Sequence, residues 1–473
     1  MRLSHTIILL LVIGLFWSID SLANPITQEQ FLKQLKDSHP LFEKEKLTPQ
    51  IENAERNSLQ GDQDWRVRSS MFFSHEEPAI AISGPEKSDA LVFFGGVERR
   101  FWSTGGSLSA SFTSTYASLE AEPFLGLPES YFQNGFTVTY THPLLRNNKG
   151  KLDRLAYELK QFDIDISEII ALENEEQFLA RAASRFLDWV LLTAQHEIIT
   201  ERLRLSEEEL SRAREKREAN LIDEVDVIRA EDAVRVARQN LLLVESQWNA
   251  VQSELAVLLQ DTSLHHAAPV YDLYKTEGPF QLNQALSQLN SESRLLQTLS
   301  VRIDQLKKIR SGFREQGKAD LSLVGQVGLK NAEIAFGNSL TMDKPDARIG
   351  LQLSFPVGKR TAKGKVAQTD LQIMQVEKQL DELSLELSSA VANVLTQASE
   401  LESVLKLNQE QIESARRKTQ EELKLYDRGR GELTFVIQSR DSEQTAKLTY
   451  ALNALTYQKL LLEYRALMDQ LHR

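Results

Sequence analysis

The sequence contains no cysteine. That excludes disulfides, thiol nucleophiles and thiolate metal sites, and with them lipid attachment at an N-terminal cysteine. Basic charge is in deficit: the formal net charge is −12, which argues against nucleic-acid binding and fits an acidic, water-facing surface. After the first residues, no apolar run is long enough for a transmembrane helix. A membrane role would need a β-barrel or a surface helix. Also missing are a nucleophile–base set, a phosphate-binding loop and a spaced ligand cluster. His265 and His266 are adjacent, so they share neither a helix face nor a strand face and make no metal pair. No enzyme activity, no cofactor and no metal is expected.

The breakers are unevenly spread. Residues 151–268, 365–428 and 432–473 contain neither glycine nor proline. Breakers gather at 61–150 and 269–364, with a pair at Gly429 and Gly431. At the N-terminus, Arg2 and His5 precede an apolar run from Ile7 to Trp17, and Ser21-Leu22-Ala23 supplies small residues. This predicts a secretory signal over 1–23, cleaved after Ala23.

The breaker-free blocks have a coiled-coil period. Val227, Ala230, Val234, Ala237, Leu241, Val244, Trp248, Val251, Leu255 and Leu258 step by three and four. So do Ile373, Val376, Leu380, Leu383, Leu387, Ala390, Val394, Gln397, Leu401 and Val404. Leu152, Leu155, Leu159, Phe162, Ile166 and Ile169 begin a third series. Such a seam faces a partner helix along its whole length. Helices over 150–216 and 364–427 would each be roughly 95–100 Å long.

The breaker-rich blocks alternate with period two. Leu108, Ala110, Phe112 and Tyr116 alternate with Ser109, Ser111 and Thr113; Phe136, Val138 and Tyr140 alternate with Thr137, Thr139 and Thr141. Leu321 and Leu323 lead a later strand, and Ile349, Leu351, Leu353 and Phe355 carry another. One apolar and one polar face suits a sheet with one wet face. In an exported chain it also suits a barrel with lipid outside and water inside. Residues 67–100, with Ala79 to Ile82 and Leu91 to Phe94, add either a further hairpin or an extension of the first strand.

The chain also repeats itself. Pro143-Leu144-Leu145-Arg146 is followed by Lys149-Gly150-Lys151, and Pro356-Val357-Gly358-Lys359 by Lys363-Gly364-Lys365. Each ends a strand and opens a long helix. Each helix breaks and returns, at Asn220-Leu221-Ile222-Asp223-Glu224 and at Asp427-Arg428-Gly429-Arg430-Gly431. Val227-Ile228 and Asp232 match Val436-Ile437 and Asp441 at a shared offset of 209.

With these features in order, the sequence resembles the TolC family of outer-membrane factors. "THPLLRNNKGK" and "SFPVGKRTAKGK" resemble the family's strand-to-helix junctions. "LYDRGRGELTFVIQSRD" and "REANLIDEVDVIRAED" are similar to its two helix tips, and "DSHPLFEKEK" to its opening helix. The resemblance implies an α+β membrane protein of long coiled-coil hairpins. Four β-strands per chain would complete a trimeric 12-stranded β-barrel, with an internal two-fold repeat.

The expected organisation is a signal peptide at 1–23, an N-terminal helical segment at 24–65, a first β-hairpin region at 66–148 and a first helical hairpin at 149–260 with its tip at about 218–224. A linker follows at 261–279, a helix at 280–319, a second β-hairpin at 320–358 and a second helical hairpin at 359–473 with its tip at about 427–432. The implied role is the outer-membrane channel of a tripartite efflux pump or type I secretion system, with its helices in the periplasm. Its implied partners are two further copies, a periplasmic adaptor protein, an inner-membrane transporter and outer-membrane lipid. The rival reading is a periplasmic or surface coiled-coil structural protein with a soluble β domain.

In the family the tips converge to close the periplasmic end. Tyr426 falls on the family's tyrosine, and Arg430 lies one residue from its arginine. Arg428 or Arg430 pairing with Asp223 or Asp226 would latch this gate, against ordinary solvated tip charge. Phe435 and Gln438 stand where several members carry aspartates; Phe435 would narrow the pore or serve the core. Asn220, Leu221, Ile222, Gly429 and Gly431 are the expected adaptor-contacting tips, although they depart from the Val-Gly-Leu element of some multidrug-pump channels.

Overall fold

The computed structural model describes residues 24–79, 85–121, 126–278 and 281–472. The expected signal, most of Ala79–Ile82, and Pro279 lie outside them. Nine helices and eight strands are found among the described residues. The chain divides into two compact units. One comprises the described residues up to Glu43, Glu175–Ser287 and Ser389 onward; the other comprises Lys44–Asn174 and Gln288–Ser388.

In chain order, β1 (Asn24–Thr27) leads into α1 (Gln28–Ser38) and α2 (Pro40–Ser58). Four strands follow: β2 (Arg66–Glu76), β3 (Lys87–Phe101), β4 (Gly106–Glu120) and β5 (Ser130–Pro143). Then come α3 (Leu155–Glu218) and α4 (Glu224–Leu259). The later half gives β6 (Ala267–Val270), α5 (Leu282–Glu292), α6 (Arg294–Gln316), β7 (Asp320–Glu333), the single turn α7 (Phe336–Ser339) and β8 (Lys344–Ser354). It ends with α8 (Arg360–Asp427) and α9 (Leu433–Leu467). The single helix expected over 280–319 is divided at Ser293, the extended N-cap of α6. Among the described residues no helix is long and apolar enough to cross a membrane.

The core of the first unit gathers Phe31 and Leu35 of α1, Leu179, Phe186 and Trp189 of α3, Leu255 of α4 and Tyr457 of α9. β1 pairs in parallel with β6 beside it. The expected seam of α4 is confirmed: every position from Val227 to Leu258 is buried or half-buried. On α8 the seam departs from expectation after Leu387. Val391, Val394, Ala398 and Leu405 are buried, while Gln397 and Val404 are exposed. An α-helix turns every 3.6 residues, so a 3.5-residue frame drifts and the neighbouring row takes over.

In the second unit, Ile303 and Leu306 of α6 pack on Ile373 of α8. Its sheet is fully antiparallel in the order β2-β3-β4-β5-β7-β8. It therefore has six strands rather than the expected four, because β2 and β3 form a complete hairpin on the β4 edge. That hairpin is hard to read from sequence. Met71-Phe72-Phe73 and Leu91-Val92-Phe93-Phe94 are apolar on both faces, which erases the period-two signal.

A two-faced sheet and two charged helix turns

Cross-strand partners share a face of a sheet. One row runs Val67, Val97, Ala110, Val138, Val327, Ala347 across all six strands. Rows on the same face carry Phe73, Leu91, Tyr116 and Phe132, then Phe112, Phe136 and Leu329, then Leu323 and Leu351. Many of these side chains are exposed, including Val67, Phe73, Val327 and Ile349 at 76%, 65%, 59% and 81%. The opposite face is polar. One of its rows reads Arg66, Glu98, Ser109, Thr139, Gln326, Arg348 and the next Arg68, Gly96, Ser111, Thr137, Gly328, Asp346. Arg68 lies 3.3 Å from Glu98, and Asp346 lies 3.6 Å from Lys330 and 3.3 Å from Arg348. Phe72, Val92, Phe94, Leu119 and Val324 are among its apolar exceptions.

A contiguous exposed apolar face of this extent needs a cover. The connection between β7 and β8 covers one end of it: Asn134, buried, donates to Ser339 at 2.6 Å, and Asn331 donates to the Asn338 carbonyl. The β3–β4 turn is anchored at the strand-to-helix junction. Trp102 is buried, its ring packs at a tilt against Tyr157 with centroids 5.4 Å apart, and its carbonyl seats Gly150.

The helix turns lie in the other unit and are built alike. At the end of α3, Asn220 takes the left-handed conformation (φ 56). Its N–H donates to the Arg217 carbonyl, and the Leu221 N–H donates to that of Lys216. At the end of α8, Gly429 (φ 70) donates to Tyr426 and Arg430 to Leu425. Both are Schellman caps, in which a left-handed residue lets two N–H groups reach back to helix carbonyls. Asn220 and Gly429 stand at the offset seen in the sequence, so asparagine here does the work of glycine.

Tyr426 is buried at the meeting of the two turns, against Ala213, Val227, Ala230, Leu433 and Val436, with Ile222 half-buried beside them. The Lys216 ammonium sits 3.5 Å over its ring and donates to its carbonyl at 2.6 Å. Burial lowers the Lys216 pKa. Burial, and then the charge of Asp226, raises that of the Tyr426 hydroxyl. Asp226 pairs with Arg229 at 3.0 Å on its own helix. Asp223 is the exposed N-cap of α4. Arg428 and Arg430 are exposed, and within one chain neither meets Asp223 or Asp226 among the described residues. Phe435 is half exposed, and Leu221 projects with 71% of its surface free. Gly431 packs closely on Leu425 and Tyr426.

Sequence reasoning missed a buried charge cluster between α3 and α9. Arg202 contacts Asp441 at 2.9 Å and Glu209 at 3.5 Å, and Arg440 contacts Glu209 at 3.3 Å. Burial pushes the Glu209 carboxyl above its ordinary range, and the two guanidinium groups offset only part of this. The signal was available: Ile199, Arg202, Ser206, Glu209 and Ala213 step by three and four, which places charge on the seam itself.

No family model matches the sequence, and no curated protein matches it. Solved structures do. The outer-membrane channel OprN superposes with a TM-score of 0.68 at 11% identity, covering 94% of this chain and 90% of that one. The fold is that of the outer-membrane channels. VceC, an outer membrane protein of Vibrio cholerae, gives 0.65 at 12% identity over 94% of this chain and 95% of its own. The CmeC outer membrane channel of Campylobacter jejuni gives 0.65 at 12%, over 94% and 85%. The outer-membrane-channel fold therefore spans nearly the whole chain, and both candidate sites fall within it.

Proposed function

We propose that this chain is a TolC-family outer-membrane channel that forms the passive exit duct of a tripartite efflux pump or type I secretion system. The observation that carries the reading is the sheet: one continuous exposed apolar face, one polar face, and two open edges. In lipid an open edge leaves backbone N–H and C=O groups unpaired, so such a sheet must be closed by other copies. The fold likeness supports a homotrimer, with lipid against the apolar face and water against the polar one. The helices then extend into the periplasm toward an adaptor protein and an inner-membrane transporter, which supplies the energy. The test is fractionation followed by bilayer recording. Resistance to sarkosyl extraction and stepwise conductance are expected; a soluble periplasmic monomer would overturn the reading in favour of a coiled-coil structural protein.

The helix turns support a gate at the periplasmic end. Asp226 is engaged by Arg229, which leaves Asp223 as the acid for Arg428 or Arg430 of a neighbouring copy. Tyr426 holds the two turns together, Phe435 narrows the mouth, and Asn220, Leu221, Ile222, Gly429 and Gly431 meet the adaptor. Exposed pairs contribute only about 0–1 kcal/mol each, but three copies around an axis add. Arg428→Ser combined with Arg430→Ser should raise single-channel conductance, and an unchanged value sinks the latch.

A further inference from the structure

We infer that the β2–β3 hairpin is part of the channel wall and that β2 of one copy pairs along β8 of the next, so three copies of a six-stranded sheet close an eighteen-stranded barrel. This rests on the channel reading and departs from the four strands per chain that the family resemblance implies.

Four observations carry it. First, the apolar face continues into the hairpin: Val67 and Val97 extend the row that crosses the other four strands, Met71–Phe93 and Phe73–Leu91 lie on the same side, and the charged positions there are Arg99 and, near the strand ends, Lys87, Glu120 and the paired His75 and Asp89. A hairpin standing clear of the wall has no reason to keep that register. Second, β2 pairs only with β3 and β8 only with β7 among the described residues, so both edges are open. Each edge strand is 11 residues long, the length that crosses a bilayer when tilted. Third, six is an even number, so β8 and the β2 of the next copy run antiparallel, as closure of an antiparallel barrel requires.

Fourth, the strands are staggered. Beyond the Val67–Ala347 row, on the side toward Glu76, β2 has nine residues and β8 only three. Full-length pairing of Arg66 with Ser354 and Glu76 with Lys344 therefore slides each copy by six residues. Closing a barrel of tilted strands requires such a slide. Six is also even, so Val67, Ser69 and Met71 come opposite Leu353, Leu351 and Ile349 and the apolar face stays in one piece. A barrel of 16–18 strands leaves an aqueous channel.

The absence of cysteine makes the seam directly testable. The full chain would be expressed in outer membranes with the pairs Val67→Cys/Leu353→Cys, Ser69→Cys/Leu351→Cys and Met71→Cys/Ile349→Cys, oxidised, and run without reductant. Ser69→Cys would also be combined with Ala347→Cys, Ile349→Cys and Leu353→Cys to scan the register. At least one pair should convert most chains from monomer to a reductant-sensitive ladder ending at trimer, with single-cysteine controls at background. The rival pair Phe112→Cys/Ile349→Cys reports β4 against β8, the contact of a twelve-stranded barrel with the hairpin outside the wall. Cross-linking there and nowhere on β2 overturns the seam but leaves the channel reading intact. A ladder ending at dimer overturns the strand count. Unsubstituted protein in the soluble fraction overturns the channel reading itself, and the seam with it.

Discussion

Gly150 closes a run in which Asn147, Lys149 and Gly150 all have positive φ. An added Cβ there would lie 2.0 Å from the Trp102 carbonyl oxygen. The left-handed conformation costs a side-chain-bearing residue roughly 1–2 kcal/mol, and the clash with backbone adds to it. Gly150→Ala should lower the temperature at which the assembled protein dissociates on semi-native gels. Gly325→Ala, where the new Cβ meets open space, should leave it unchanged; equal shifts would show that the β3–β4 turn does not lock the junction. Glu209 gives a pH prediction. Its carboxyl is raised above 4.5 in the folded chain, so the folded state holds that proton more tightly than the unfolded state. Its contribution is complete below the unfolded value and is lost as pH rises through the raised one. Glu209→Gln removes the titration. The melting temperature of the variant relative to the unsubstituted protein should therefore climb between pH 4 and pH 7, and a flat difference refutes the assignment.

Among the elements, the helices were the most legible. A repeat of three and four residues survives any register error along the chain, so both long helices were readable to within a few residues of their ends. What periodicity could not settle was the row on α8, because Ala390-Val391, Gln397-Ala398 and Val404-Leu405 offer two adjacent frames. Packing selects the second. Leu405 is buried in the first unit's core and Val404 lies outside it. Leu405→Ala should cost about 2–5 kcal/mol and Val404→Ala no more than about 0.5 kcal/mol, read by thermal unfolding of the solubilised protein; the reverse order would restore the first frame. The turns were legible in part. Gly429 announces a left-handed cap, whereas Asn220 does so only through its offset partner. The buried charges at Arg202 and Glu209 passed unread because charge on a helix is usually solvated. The β2–β3 hairpin passed unresolved because consecutive apolar residues fit either face.

At the scale of the whole molecule, the question is which solvent each surface meets. The helices could be read without answering it, but the sheet could not: alternation in Phe136, Val138 and Tyr140 marks a two-faced strand equally well in a soluble protein. The register removes part of that ambiguity by placing the apolar side chains of all six strands on one face, with the Val67 row crossing every strand and shorter apolar rows beside it. If lipid meets that surface, charge must be costly on it and cheap on the other. Phe136 is exposed near the middle of β5 on the apolar face, and Thr137 is its neighbour on the polar face. An arginine facing lipid at the bilayer midplane costs about 2–4 kcal/mol, while lumen positions tune selectivity instead. Phe136→Arg repeats that cost in every copy around the barrel and should leave the protein outside the outer-membrane fraction. Thr137→Arg should insert normally and shift the reversal potential of reconstituted channels toward anions. Normal insertion of Phe136→Arg alongside failure of Thr137→Arg would put water on the face assigned here to lipid and turn the barrel inside out.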